Sequence, residues 1–377
     1  MREHVRAQDL AGYVLFDPTY VHYYTGFRFL STERPVIYVE SVGGDSAIFV
    51  PEFEVERTVA EATFERVDSY PEYPGVEHPM AILARVIDDL GIRGAIGVDN
   101  DGYPGILGYE GPPLSGITGA RVSSVAAAIE AMLTLKSPAE VELIRESARW
   151  CEHAHRLLEE YTRPGFTEAE VSLRVQHETT LALLEKRGEV GWMGSGDGVK
   201  AGWRGQIGTR SSWAHAVAHD IEFRAGDVLV TETGAPIWGY TAELERAMVI
   251  GPPSDEARRL FDHMVAAQDV AFAAFRPGAT CADIDRAVMR YFEEQGIVGY
   301  WRQHTGHAIG LRNHEAPFLD LGDHTPLKPG MVFTIEPGLY DPNVGGFRHS
   351  DTVLVTENGI DLLTDHPRDL ESMTLPV

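Results

Sequence analysis

The chain has 377 residues, 44% of them hydrophobic, enough for one large core or for a small domain beside a larger one. Its formal net charge of −25 disfavours nucleic acid and anionic membrane, which both require basic surface, so neither is expected as a partner. No apolar run reaches the ~20 residues of a membrane span, the opening MREHVRAQDL has no apolar signal core, and Cys151 and Cys281 make no disulfide framework, which together predict a cytoplasmic protein.

Residues 1–133 alternate short apolar runs with helix-like stretches. Gly12 to Phe16, Pro35 to Val42, Ser46 to Val50 and Ala95 to Asp99 read as strands, and Met80 to Leu90 has helical spacing. This is a small α/β domain with no metal-ligand cluster of its own. Tyr20-Val-His-Tyr-Tyr-Thr-Gly26 reads as a strand end with aromatic packing, or as a lip that touches a ligand.

Ser137-Pro138-Ala139-Glu140 is a helix start: serine caps, proline suits the first turn, and Glu140 reaches back to complete a capping box. The helix is expected to run to Tyr161, and the domain boundary to fall between Leu133 and Pro138, giving domains 1–133 and 134–377. Within the second, Arg163-Pro-Gly-Phe-Thr-Glu-Ala-Glu-Val171 recurs as Arg276-Pro-Gly-Ala-Thr-Cys-Ala-Asp-Ile284. Each copy ends one helix and opens another under a threonine cap. The repeat predicts two αβ halves about a pseudo-twofold axis, with ligand bound between them.

The second domain is organised around Gly226 to Arg246. Two β-like runs flank Gly234-Ala235-Pro236, and alternation puts Glu232 on one face of the first and Glu243 and Glu245 on one face of the second. Carboxylates on apolar strands require compensation by a metal, another cation or shared protons. We therefore read this wall as the active site. Before it, Trp192, Trp203 and Trp213 with Asp197, Lys200 and Arg204 occupy a glycine-rich stretch that reads as pocket lining or core packing, followed by His215. The later half adds His307, His314, Glu336, Arg348 and Ser350; alternation turns His349 away from Arg348 and Ser350.

At these residues the chain resembles the pita-bread hydrolases (Xaa-Pro aminopeptidase, prolidase, methionine aminopeptidase and creatinase) over nearly its whole length. The resemblance rests on Tyr23-Tyr-Thr-Gly-Phe27, Leu135-Lys-Ser-Pro-Ala-Glu140, His215 twelve residues before Asp227, Gly306-His-Ala-Ile-Gly-Leu311, His314-Glu-Ala-Pro317, Leu327-Lys-Pro-Gly-Met331, Glu336-Pro-Gly338 and Gly346-Phe-Arg348. It implies an amino-terminal creatinase-like α/β domain before a pita-bread catalytic domain, an α/β (α+β) fold overall. It also implies a homodimer in which Tyr23 and Tyr24 contact substrate, and hydrolysis of a C–N bond in a small Xaa-Pro-like peptide, amide or amidine.

The resemblance implies a ligand set as well. The peptidases hold two divalent ions with two aspartates, a histidine and two glutamates. Here the aspartate positions carry Glu232 and Glu243, the histidine is His307, the first glutamate is Glu336, and the last falls on Ser350. One ion or a weak pair (Mn, Zn, Co or Fe) is the expectation under this reading, with His215 and His314 donating to the substrate. A metal-free reading stays open, since Glu245 stands where creatinase has a glutamate that holds a guanidinium. Under it, as in creatinase or the related ectoine hydrolase, Glu245 with Glu243 or Glu336 binds a cationic amidine or guanidine, His215 is the base and Arg348 holds a substrate carboxylate. A binder without catalysis is the third reading.

Overall fold

The computed structural model describes residues 1–63, 66–276 and 278–377, so Pro277 of the second repeat lies outside the described residues. The chain divides into two compact units, Met1–Leu133 and Thr134–Val377, each with its own apolar core.

In the first unit a six-stranded mixed sheet runs in the order Val67–Tyr70, Ser46–Pro51, Ile37–Ser41, Gly12–Leu15, Ile96–Val98, Val122–Ser124. The strand Gly12–Leu15 is central because all its positions are buried, as the apolar run demands. Helix Pro79–Asp89 buries Met80, Leu83, Val86 and Ile87, the three-to-four spacing of one helical face. The Tyr20 to Gly26 stretch departs from the strand-end reading, since Pro18–Thr25 is an α-helix. Asp17 caps it by accepting from the Thr19 and Tyr20 amides at 2.7 and 3.2 Å, Pro18 fills the first turn, and Gly26 ends it at φ 69°. Tyr24 stacks on Tyr38 at 5.5 Å and meets Tyr13 edge-on at 5.9 Å, which locks it into an aromatic cluster.

The second unit carries the repeat. Helix Pro138–Tyr161 opens with the Ser137/Glu140 capping box, and helices Glu168–Arg187 and Cys281–Glu294 open with the matching boxes Thr167/Glu170 and Thr280/Asp283. Around these helices lie short, mostly antiparallel sheets. The first half contributes strands Val228–Val230, Glu232–Gly234, Glu243–Leu244 and Ala247–Ile250. The second contributes Gly306–Ala308, Glu315–Leu319, Val332–Ile335 and Asp351–Thr356. The two halves join along a seam. The Glu245 amide donates to the Ser350 carbonyl and the Ser350 amide to the Glu245 carbonyl, both at 3.1 Å, while Thr352 Oγ1 donates to the Glu243 carbonyl at 2.8 Å. Glu243 and Glu245 are thereby fixed by both halves.

Polar groups buried behind the seam are fully engaged. Arg246 donates to the carbonyls of Glu245, Ser350, His366 and Pro367 and pairs with Asp351 at 2.8 Å, a structural cation with no access to solvent. His349 accepts from the Ala247 amide at 3.1 Å and donates to the Arg368 carbonyl at 3.0 Å, so it serves the framework as a neutral ring. Burial, with Arg246 adding repulsion, lowers its pKa to about 3. The unfolded chain binds a proton there near the usual ~6.5, so stability is complete above that pH and is lost as pH falls toward 3. Urea midpoints are expected to decline over this window, less steeply in His349→Asn.

Both cysteines are buried and unpaired, and burial pushes each thiol up to about 12. Among the described residues no helix is long and apolar enough to cross a membrane.

Candidate active site

One ladder register runs through the first-half strands, with Val230 opposite Ala247 and Gly234 opposite Glu243, which sets Glu232 opposite Glu245. Period-two alternation puts Glu232, Glu243 and Glu245 on one face. From the second half, His307 enters at a β-bulge between His307 and Ala308, a kink that turns its ring out of the regular ladder. Gly306 permits the approach, because a Cβ there would lie 2.0 Å from the Thr334 carbonyl oxygen. Glu336 follows the buried strand Val332–Ile335, with its amide donating to the Thr305 carbonyl at 2.7 Å.

These elements bring one donor atom each of Glu243, His307 and Glu336 within 4.8 Å of one another, all three residues buried. The His307 Nδ1–H donates to the Ala308 carbonyl at 3.0 Å and so aims Nε2 at Glu336 Oε1, 3.2 Å away. Ser350 Oγ donates to Glu243 Oε1 at 2.8 Å. The electrostatics describe a site short of positive charge. Burial, then Glu336 and Glu245, raise the Glu243 carboxyl well above its usual range. Burial disfavours ionisation of Glu336 too, but the His307 hydrogen bond and charge and the Arg348 charge hold it at about 2. Burial also opposes charge on His307, and Glu336 with Glu243 outweighs it, lifting the ring to about 9. Protons stand in for missing positive charge.

The remaining candidates take other places. Glu232 is ion-paired with Arg204, Nε to Oε2 at 2.5 Å, and lies outside the three-residue group. Arg204 sits with Gly205 at the centre of a tight turn closed by the Gln206 amide donating to the Trp203 carbonyl at 2.7 Å. Both central residues have positive φ, 46° and 74°, the signs of a type I′ turn, which disfavours arginine. Gly205 is required: a Cβ would lie 2.1 Å from the Val217 carbonyl oxygen. The Glu245 carboxylate is gripped at both oxygens by Arg348, Nη2 to Oε1 at 2.5 Å and Nε to Oε2. Burial raises Glu245 and Arg348 pulls it back, leaving about 7. Arg348 Nη1 donates to Tyr340 Oη at 3.1 Å, and Tyr340 in turn donates to Gln303 Oε1 at 2.7 Å. Its guanidinium is therefore committed within the chain. A substrate guanidinium at Glu245, or a substrate carboxylate at Arg348, would have to break this buried pair.

At the rim, the His314 ring stacks on His307 with centroids 3.8 Å apart. Burial, then the His307 charge, lowers His314 to about 4, so it is neutral at physiological pH. Its neighbour Glu315 pairs with the buried Lys136 at 2.7 Å and accepts from the Arg312 amide at 3.1 Å, which anchors the loop. His215 is exposed, and its charge is one of those that depress His314. Tyr23 and Tyr24 belong to the first unit, in edge-on contact at 5.6 Å. Tyr340 was invisible to sequence reasoning; a fully buried tyrosine two residues past the partner of Arg348 is the signal that finds it.

A converging Glu/His/Glu group on the seam of a two-half unit is a donor set of the kind that metal hydrolases use. Residues 142–357 match metallopeptidase family M24, and residues 1–105 match the creatinase/prolidase N-terminal domain. The chain belongs to metallopeptidase family M24, hydrolases of peptide C–N bonds. It is 29% identical over 353 residues to the Xaa-Pro dipeptidase of Pyrococcus furiosus, covering 94% of this chain and 93% of that one. The solved dipeptidase PepE from Mycobacterium ulcerans is similar at a TM-score of 0.84 and 26% identity, over 100% of this chain and 96% of that one. The prolidase from Pyrococcus horikoshii is similar at 0.82 and 25% identity, over 98% of both.

Family M24 is typically dependent on divalent metal, and the donor set fits one such ion. Two oxygens and an oriented imidazole nitrogen supply three ligands. With Glu243 ionised and His307 neutral, as metal ligands must be, four carboxylates (Glu232, Glu243, Glu245, Glu336) face two guanidinium groups (Arg204, Arg348), leaving two negative charges for one divalent cation.

Proposed function

We propose that this chain is a metal-assisted Xaa-Pro-type peptidase that uses one divalent ion held by Glu243, His307 and Glu336. The observation that carries the reading is the convergence of those three buried donors, while Glu245, the carboxylate at the position that holds a guanidinium in creatinase, is already filled by Arg348. When bound, the ion supplies Lewis acidity, polarising the scissile carbonyl and activating water.

The chain's own residues do the rest. Glu336 Oε2, ionised and 3.6 Å from Arg348 Nε, is the acceptor for the proton that the attacking water gives up. Neutral His314 and exposed His215, at the rim, donate to the substrate carbonyl as its oxygen gains charge. As the C–N bond breaks, the proton held at Glu336 passes to the leaving nitrogen. The pair of Arg348 with Glu245, tied to Tyr340, keeps the wall behind the carboxylates rigid. A small dipeptide as substrate follows the names of the relatives. A homodimer with Tyr23 and Tyr24 reaching the partner's substrate, and a cytoplasmic location in keeping with two buried, unpaired cysteines, belong to the same reading.

The test is hydrolysis of a panel of Xaa-Pro dipeptides, amides, guanidines and amidines by the native-size species from gel filtration, before and after chelation. Turnover of Xaa-Pro dipeptides by a dimer, lost on chelation and restored by Mn(II), Co(II), Zn(II) or Fe(II), is the expected result. Chelation-resistant turnover of an amidine or guanidine would replace this reading with the metal-free one.

A further inference from the structure

The Glu232 carboxylate shares a face with Glu243 and Glu245, and its charge acts on both, yet it is ion-paired with the guanidinium of Arg204, whose Nε lies 2.5 Å from Oε2 without the alignment of a hydrogen bond. That guanidinium is delivered by a turn whose left-handed φ of 46° at Arg204 is a poor position for a long side chain such as arginine's. The turn is over-determined by its surroundings. The Gly205 amide donates to Glu168 Oε1 at 2.5 Å, Gly202 pairs with Glu232 itself across the ladder, and Trp203 is fully buried. A strained conformation kept by so many contacts marks a placed side chain. Guanidinium is a permanent cation, charged throughout the pH range in which proteins fold.

We propose that Arg204 is a built-in cation of the active site: it occupies Glu232 and thereby limits the site to a single divalent ion. The inference rests on the metal-assisted reading above and gives it a stoichiometric determinant. With Arg204 present, the two negative charges left over are those of one ion. Without it, Glu232 joins Glu243 on their common face, and the wall gains the charge and the ligand to take up a second ion. Arg204 acts through Glu232, as a positioning residue.

The experiment is titration of chelator-treated full-length protein with Mn(II), read by calorimetry and by elemental analysis after dialysis. Wild type is expected to bind one equivalent, Arg204→Ala two, and Arg204→Lys one again, because lysine restores the charge. Arg204→Ala combined with Glu232→Gln is expected to return to one equivalent. Should Arg204→Ala not fold, Arg204→Gln, close in length but uncharged, is read in the same way. Two equivalents in wild type would overturn the role of Arg204 and leave the peptidase reading intact. One equivalent in wild type and still one in folded Arg204→Ala or Arg204→Gln would overturn it as well. No bound Mn(II) in wild type would overturn the metal-assisted reading and this inference with it.

Discussion

Glu243→Gln is expected to abolish tight divalent-metal binding and lower kcat on the order of 10³-fold, the several kcal/mol that a metal ion contributes to transition-state charge stabilisation. The same substitution is expected to leave the metal-free protein as stable as wild type, or more so. Glutamine keeps the length and the acceptor oxygen for Ser350 Oγ, and it removes a buried acid that Glu336 and Glu245 repel. Activity and stability thus move in opposite directions, a combination that simple misfolding does not give. Thermal melts of chelated samples beside Mn(II) titrations measure both. A loss of stability without a loss of metal binding would assign Glu243 to the framework.

The second large effect falls on the Glu245–Arg348 pair. Arg348→Met leaves Glu245 buried without its partner, and breaking a buried pair this way costs about 3–5 kcal/mol. Adding Glu245→Met removes the stranded charge and is expected to recover most of that loss, since apolar replacement of a whole buried pair is often close to neutral. Urea midpoints of the two single variants and the double variant form the cycle that separates pair from packing. Had Glu245 been reserved for a cationic substrate, Arg348→Met would be well tolerated, and guanidinium compounds would stabilise it.

Much of this was legible in the sequence because it is written in local rules. The capping boxes at Ser137, Thr167 and Thr280 announce three helices, and each depends only on a residue and its neighbour three positions on. The common face of Glu243 and Glu245 follows from the two-residue period alone, and the ladder register brings Glu232 to it. The helix Pro18–Thr25 was missed although its signals were present: Asp17 before Pro18 and Gly26 after Thr25 are a cap, a first-turn proline and a left-handed stop. The three tyrosines drew attention to β propensity, and the caps outweighed it.

The partners of the acids were harder. Glu245 has Arg246 beside it and Arg348 about a hundred residues later, and only the seam decides between them, turning Arg246 inward to Asp351. Arg204 reaches Glu232 through a turn that Trp203-Arg-Gly-Gln206 does not advertise, since the first left-handed position normally carries asparagine, aspartate or glycine. A rule broken at a site residue is the mark of a position held by its surroundings, and it shows only in three dimensions.

The most direct test is a crystal structure of the Mn(II)-loaded protein with anomalous data at the manganese edge. The account predicts one anomalous peak bounded by Glu243, His307 Nε2 and Glu336, with Glu232 still on Arg204. A peak elsewhere, or two peaks with Glu232 turned to the second, would contradict it.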